Sequence, residues 1–354
     1  MNITPDQITA AASRIEAHVR RTPLWVLPSA ALDLPAGTPE FEVWLKLEHQ
    51  QLSGSFMARG MFNRLLSNPI PAAGVIAASG GNAGIATAVA ARALGVPAEI
   101  YVPGVISAAK RERLATLGAT VVMAGDAYAD ALAACEARQR ETGALMTHAY
   151  DQPEVVAGAG TLARETEAQH GTPDSVLVSV GGGGLIAGIA AWFAGRSRVI
   201  ALEPELAPTL FAARAAGTPV NVSVSGIAAD SLGARRIGQI AWSVTQQHVV
   251  EALLLSDDTI REAQRWMWKE LKLAVEPAAA LPLAALRSGA VRPAAGERVC
   301  LIVCGANLDP ATLVREAGDA RAKAEHPDPR RRCLSRHRCI AVGRVARPRG
   351  HRVC

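Results

Sequence analysis

The chain has 354 residues, 49% of them hydrophobic and only 4% aromatic, which allows one large domain or two of ordinary size and suits a helix-rich α/β protein better than a β-sandwich. The formal net charge of +5 is carried by one end: residues 330–354 hold nine Arg and no Asp or Glu, so the rest stands at −4, a mildly acidic body with a basic tail from which nucleic-acid binding is not the favoured expectation. No apolar run of about 18 residues occurs, and the N-terminal segment has no basic region followed by an apolar core, so neither a membrane span nor a signal peptide is expected and a cytoplasmic enzyme is the default class.

In chain order, "TPDQI" predicts a helix start, with Thr4 as cap, Pro5 in the first turn and Asp6 favouring the dipole. "VWLKLE" predicts a strand over 43–48, followed by a helix over 58–66. Strands are then expected at "GVIAAS", "AEIYVP", "TVVMAG" and "ALMTHA", separated by helices over 83–94, 107–118 and 126–140. The rhythm resumes with a strand over 174–180, a helix through Phe193, the strand "RVIALEP", a helix over 257–273 capped by Ser256 or Asp257, and a last strand in "RVCLIVCGAN". Apolar strands alternating with helices predict an α/β protein with two open, twisted, mainly parallel sheets covered by helices. The split falls near residues 72 and 147, giving a large domain of residues 1–71 and 148–325 and a small domain of residues 72–147. Residues 326–354 read as a basic, unstructured tail without an aromatic to stack on bases. Cys135, Cys300 and Cys304 lie outside that tail, which holds the other three, and Cys300 and Cys304, in or beside the apolar run "RVCLIVCGAN", fit reduced thiols rather than a disulfide framework.

Three loops carry chemistry. "SVGGGGL" places Gly181, Gly182, Gly183 and Gly184 between a buried strand and a helix, where bare backbone amides and the positive helix end can cradle a phosphate. The run is neither a Walker loop nor a spaced dinucleotide fingerprint, so a cofactor with a single phosphate fits better. "SGGNAG", residues 79–84, also opens a helix and suits a substrate carboxylate; Asn82 is either a ligand contact or a helix cap. Cys304, in "IVCGAN", lies at the carboxyl end of an apolar strand, where ligands bind in open α/β sheets.

Together with "RTPL", "LKLEHQQLSGSF", "HAYDQPEVVAGAGTLARE", "ALEPE" and "EPAAA", in this order over about residues 5–320, these loops resemble the tryptophan-synthase-β (fold type II) family of pyridoxal-phosphate enzymes, and most closely its serine/threonine dehydratases. The resemblance implies pyridoxal 5'-phosphate in the crevice between the domains. Phe56 would flank its ring, Asn82 hold its ring oxygen, Gly181 to Gly184 and the Leu185 amide hold its phosphate, and Cys304 face the pyridine nitrogen. A neutral thiol there suits β-elimination. Ser79, Gly80, Asn82 and Ala83 would receive the carboxylate of a small amino-acid substrate. The implied activity is deaminating β-elimination of a hydroxy amino acid, L-serine or L-threonine, to a 2-oxo acid and ammonia, by a homodimer. Gly80 stands where serine racemases carry a second serine, which argues against racemization. Glu203 stands near one ligand of the family's divalent-cation site but Thr209 replaces a second carboxylate, so no metal is expected.

The family's Ser-Phe-Lys-x-Arg-Gly signature reads "SFMARG" here, with Met57 at the Schiff-base lysine. A thioether forms no imine and moves no proton, so catalysis is expected to be severely impaired. The other lysines are Lys46, Lys110, Lys269, Lys272 and Lys323; Lys46 reads as a strand residue with its own partner, and the rest as solvated helix residues. Two alternatives stand beside the impaired dehydratase: a non-catalytic binder of pyridoxal phosphate or its amino-acid aldimine, and binding of nucleic acid or an acidic partner through the tail.

Overall fold

A computed structural model describes residues 3–314. The basic tail, Lys323 and the three tail cysteines lie outside the described residues.

The chain opens with α1 (Pro5–Ile15), where Thr4 and Gln7 form a reciprocal capping box, and continues into β1 (Leu24–Pro28), β2 (Glu42–Lys46) and α2 (Met57–Leu66). Next come β3 (Val75–Ala78), α3 (Asn82–Leu94), β4 (Ala98–Val102), α4 (Ala108–Thr116), β5 (Thr120–Met123), α5 (Tyr128–Thr142) and β6 (Leu145–Thr147). Then follow α6 (Pro153–His170), β7 (Ser175–Ser179), α7 (Gly184–Phe193), β8 (Arg198–Pro204), α8 (Thr209–Ala216), α9 (Gln239–His248) and β9 (Val249–Leu255). The described residues end with α10 (Asp257–Leu271), α11 (Pro277–Arg287), β10 (Arg298–Ile302) and α12 (Ala311–Val314). Ser256 is the α10 cap, its hydroxyl accepting from Thr259 N–H, and the helix stops two residues before the expected end because Lys272 turns left-handed at φ 58°.

These strands make a six-stranded sheet, ordered β1-β2-β10-β7-β8-β9, and a four-stranded sheet, ordered β5-β4-β3-β6. All pairs are parallel except β1 with β2. The expected class, two mainly parallel sheets covered by helices, is what forms. The largest apolar cluster surrounds the six-stranded sheet, and a second, containing Met57 and Ala83, joins α2 and α3 to the four-stranded sheet.

The strands β1 and β9 and the helices α6, α8, α9, α11 and α12 are additional to the elements expected from the sequence. Helix α6 escapes periodicity because it is buried on two sides. Gly158 lies against α2, where a Cβ would sit 2.5 Å from the Arg59 carbonyl, and Gly188 of α7 meets Gly160, where a Cβ would sit 2.5 Å from its amide nitrogen. A helix pressed between two others shows no polar stripe. Among the described residues, no helix is long and apolar enough to cross a membrane.

Candidate active site

Residues 53–57 run alongside residues 304–307. Phe56 N–H donates to the Cys304 carbonyl at 3.0 Å, Ala306 N–H donates to the Gly54 carbonyl at 2.9 Å, and Ser55 bridges Gly305. This pairing sets Met57, 6% exposed, at the first position of α2, close to the carboxyl end of β10. Cys304 is buried and its thiol is pushed well above the ordinary range, first by burial and then by the negative charge of Glu276, so it stays neutral.

The "SGGNAG" loop joins the same place. Gly81, not Asn82, is the N-cap of α3, so Asn82 is free of capping duty. Its side-chain nitrogen donates to both carboxylate oxygens of Glu276, at 3.0 and 2.9 Å, and its oxygen accepts from Asn307 Nδ2 at 2.6 Å. Asn307 also donates Nδ2–H to the Ser53 carbonyl and its backbone N–H to Glu276 Oε1, at 2.9 and 2.7 Å. Glu276 N–H in turn donates to the Gly305 carbonyl at 3.0 Å. Burial pushes the Glu276 carboxyl up, against the pull of the Asn82 and Asn307 donors. Ser79 Oγ accepts from Gly81 N–H at 3.3 Å. A Cβ on Gly80 would lie 2.5 Å from Ile106 Cδ1.

The glycine run lies between β7 and α7. Gly183, at φ +91°, is the N-cap of α7, and no side chain among the described residues caps that helix, so its first amides are left for another acceptor. Each glycine also answers to packing: a Cβ would lie 2.1 Å from Tyr150 Cδ1 at Gly182, 2.5 Å from Ala241 Cβ at Gly183, and 3.1 Å from Leu232 Cα at Gly181. Gly184 sits beneath Tyr150, 3.0 Å from it by the same measure. Leu185 follows, buried, in the first turn of α7. The loop around Asp230 and Leu232 touches both glycine-bearing loops, since the Asp230 carbonyl lies 3.5 Å from a Cβ on Gly81. Three loops distant in sequence are thus drawn into one region.

Residues 15–305 match the family model described as pyridoxal-phosphate dependent enzyme. The chain belongs to this family of pyridoxal-phosphate-dependent enzymes. It is 36% identical to a phenylserine dehydratase of Ralstonia pickettii over 318 residues, covering 88% of this chain and 95% of that protein. It is 34% identical to an L-threonine ammonia-lyase of Geobacter sulfurreducens over 311 residues, covering 86% of this chain and 76% of that protein. The structure is similar to that of maize serine racemase, with a TM-score of 0.81, 30% identity, and coverage of 92% of this chain and 100% of the other. It also resembles a threonine deaminase from T.th., with a TM-score of 0.78, 34% identity, and coverage of 86% of this chain and 99% of the other.

In members of such a family the lysines matter, and here each described one is engaged. Lys46 is fully buried and donates to Glu165 Oε1 at 2.5 Å, Gln169 Oε1 at 2.9 Å and the Thr22 carbonyl at 3.0 Å, so it has the partners expected of it. Lys110 is not simply solvated: it pairs with Asp230 at 2.5 Å. Lys269 pairs with Glu270 at 3.1 Å, and Lys272 donates to the Lys269 carbonyl at 2.6 Å.

Lys46, Glu48, Arg59 and Glu165, each within a motif quoted above, form an ionic cluster whose pairing the sequence does not announce. Arg59, in "SFMARG", donates Nε–H and an Nη2–H to the two oxygens of Glu48, both at 2.8 Å, and a further Nη2–H to Glu165 at 3.0 Å. With Lys46 the cluster holds two positive and two negative charges. Burial alone would raise the Glu48 carboxyl, but Arg59, Lys46 and the Thr22 hydroxyl outweigh it and hold it below its ordinary value. Glu203 turns to its own chain: Oε1 accepts from Leu210 N–H at 2.8 Å and Oε2 from Phe211 N–H at 2.7 Å, at the start of α8. Burial raises its carboxyl to about 7, against those donors.

Proposed function

We propose that this is the site of a dehydratase acting on a small L-hydroxy amino acid, serine or threonine, arrested at one atom by Met57. The observation that carries the reading is the contrast at the head of α2. Met57 is buried at the start of "MARG", while Asn82, Glu276, Asn307 and Ser53 are hydrogen-bonded to one another, with one Asn82 Nδ2–H shared by both Glu276 oxygens and the other left for a ligand. The named relatives support the reaction class, since two are a phenylserine dehydratase and an L-threonine ammonia-lyase.

The residues fit pyridoxal phosphate without covalent attachment. The uncapped α7 N-terminus and the amides of Gly181 to Gly184 and Leu185 would hold the phosphate. Asn82 would hold the ring oxygen, with its amide oriented by Glu276 and Asn307. Phe56 would flank the ring, and the neutral Cys304 thiol would leave the pyridine nitrogen without a permanent proton. When bound, the cofactor supplies the electron sink that lets Cα lose its proton and the β-hydroxyl depart. Ser79, Gly80, Asn82 and Ala83 bind the substrate carboxylate at the head of α3. Gly80 has no side chain to serve as an opposite-face base, and the Ile106 methyl packs 2.5 Å from where its Cβ would be, which supports elimination over racemization. Met57 occupies the position that would move the proton and can neither accept nor release one.

The same engagement of every described lysine favours the second reading, a non-catalytic pyridoxal phosphate binder. Residues 72–147 as a small domain, closing the crevice against the rest, and a homodimer complete the proposal. Calorimetric titration with pyridoxal phosphate, with phosphate-free pyridoxal as control, tests the shared part of both readings. Reversible, phosphate-dependent binding is expected, and absence of binding contradicts it.

A further inference from the structure

We propose that Thr209 is the positioning residue of the glycine loop, its hydroxyl pinning the Gly181 peptide so that the following amides stay aimed at a phosphate dianion. The proposal rests on the reading of that loop as the phosphate site. Thr209 is completely buried at the first position of α8, and its Oγ1 lies 2.5 Å from the Gly181 carbonyl and 2.9 Å from Glu203 Oε1. A hydroxyl has one proton, and the nearer acceptor is the carbonyl.

The consequence follows from peptide geometry. A peptide unit is planar and trans, so its C=O and N–H point in opposite directions. Holding the Gly181 carbonyl at Thr209 therefore directs the Gly182 N–H away from α8. The next unit is held in the same way, because the Gly182 carbonyl accepts from Gly238 N–H at 2.9 Å. That fixes the direction of the Gly183 N–H. Two successive glycine peptides, otherwise the freest backbone in a chain, are thus clamped by partners from α8 and the start of α9. Glu203 borders the clamp: its carboxyl is tied to the amides of Leu210 and Phe211, and Oε1, at 2.9 Å, is the more distant of the two acceptors facing the Thr209 hydroxyl.

Three full-length chains decide the matter: the unaltered chain, Thr209→Val, which keeps the shape and loses the hydroxyl, and Thr209→Ser, which keeps the hydroxyl. Hydrogen exchange of the segment 180–186 is measured without ligand, and affinities for pyridoxal phosphate and for pyridoxal are measured by calorimetry. Thr209→Val is expected to exchange about tenfold faster in that segment and to bind pyridoxal phosphate about tenfold more weakly, as loss of one buried hydrogen bond implies, with pyridoxal binding unchanged. Thr209→Ser is expected to match the unaltered chain. If Thr209→Val does not fold, Thr209→Cys, which keeps a weak donor, takes its place. Unchanged exchange, or an equal loss of affinity for both compounds, overturns the proposal. Failure of the unaltered chain to bind pyridoxal phosphate overturns the phosphate reading itself, and is distinguishable because it precedes any substitution.

Discussion

Asn82 gives its side-chain amide to both oxygens of Glu276, at 3.0 and 2.9 Å, across 194 positions of sequence. With Asn307 Nδ2 donating to its oxygen, the Asn82 amide has one orientation that satisfies every partner. Glu276→Gln keeps the shape but puts an N–H₂ group where Asn82 Nδ2 or Asn307 N–H needs an acceptor. The expected cost is about 1–3 kcal/mol, seen as a lower urea midpoint, together with weaker pyridoxal phosphate binding. An unchanged midpoint would show that Glu276 is not the partner that orders Asn82.

The Glu48–Arg59 pair predicts a larger loss. Replacing Arg59 with Met leaves the buried Glu48 and the half-buried Glu165 with Lys46 as their only ion-pair partner among the described residues, and breaking a buried ion pair from one side costs roughly 3–5 kcal/mol. Thermal unfolding should show a clear drop, and Arg59→Lys should recover only part of it because an ammonium cannot bind Glu48 with two parallel N–H groups. A neutral Arg59→Met variant would remove this cluster from the account of stability.

His49 predicts a pH dependence. Its Nδ1 is buried with no hydrogen-bond partner among the described protein atoms, and burial lowers the imidazole from 6.5 to about 4, with Glu48 opposing. The folded value lies below the unfolded one, so the fold favours the neutral ring. Its contribution is fully present above pH 6.5 and is lost as pH falls toward about 4. Glu203, raised to about 7, contributes in the opposite sense over this range, so the test is the difference: the unaltered chain should lose urea midpoint relative to His49→Gln as pH falls from 6.5 to 5. Parallel slopes for the two chains would rule out this contribution of His49.

Gly182→Ala tests the loop's packing. The added carbon would meet the Tyr150 ring at 2.1 Å, so either the ring or the loop must move. A destabilisation of about 1–3 kcal/mol is expected, with loss of phosphate-dependent binding. The loss caused by Gly182→Ala should be smaller in a Tyr150→Ala chain than in the unaltered one, and equal losses in the two would place the strain elsewhere.

The glycine run, the "SGGNAG" loop and Cys304 are legible because each sits where a buried strand ends, a position marked by local composition. The parallel sheets are legible for the same reason. What stays hidden depends on long-range pairing. Glu276 lies in "EPAAA", where nothing local says that its carboxylate faces Asn82. Arg59 is prominent in "SFMARG", yet its partner Glu165 is defined only once α6 packs on α2, and Glu48 only once the segment after β2 folds back on α2. Helix α6 itself, with Gly158 and Gly160 on opposite contacts, has no amphipathic signature to read. The four glycines read as clearance for a ligand; Tyr150, Ala241 and Leu232 show that clearance for the protein's own side chains is part of the reason.

The proposed arrest at Met57 can be reversed by a single substitution. The direct test is Met57→Lys in the full-length chain, incubated with pyridoxal phosphate and treated with borohydride, with mass analysis of the peptide containing position 57 and an assay of 2-oxo acid from L-serine and L-threonine. The account predicts covalent cofactor at that peptide and 2-oxo acid release many orders of magnitude above the unaltered chain, which should show neither. Cofactor attached at position 57 without 2-oxo acid from either substrate, or no attachment at all, would contradict it.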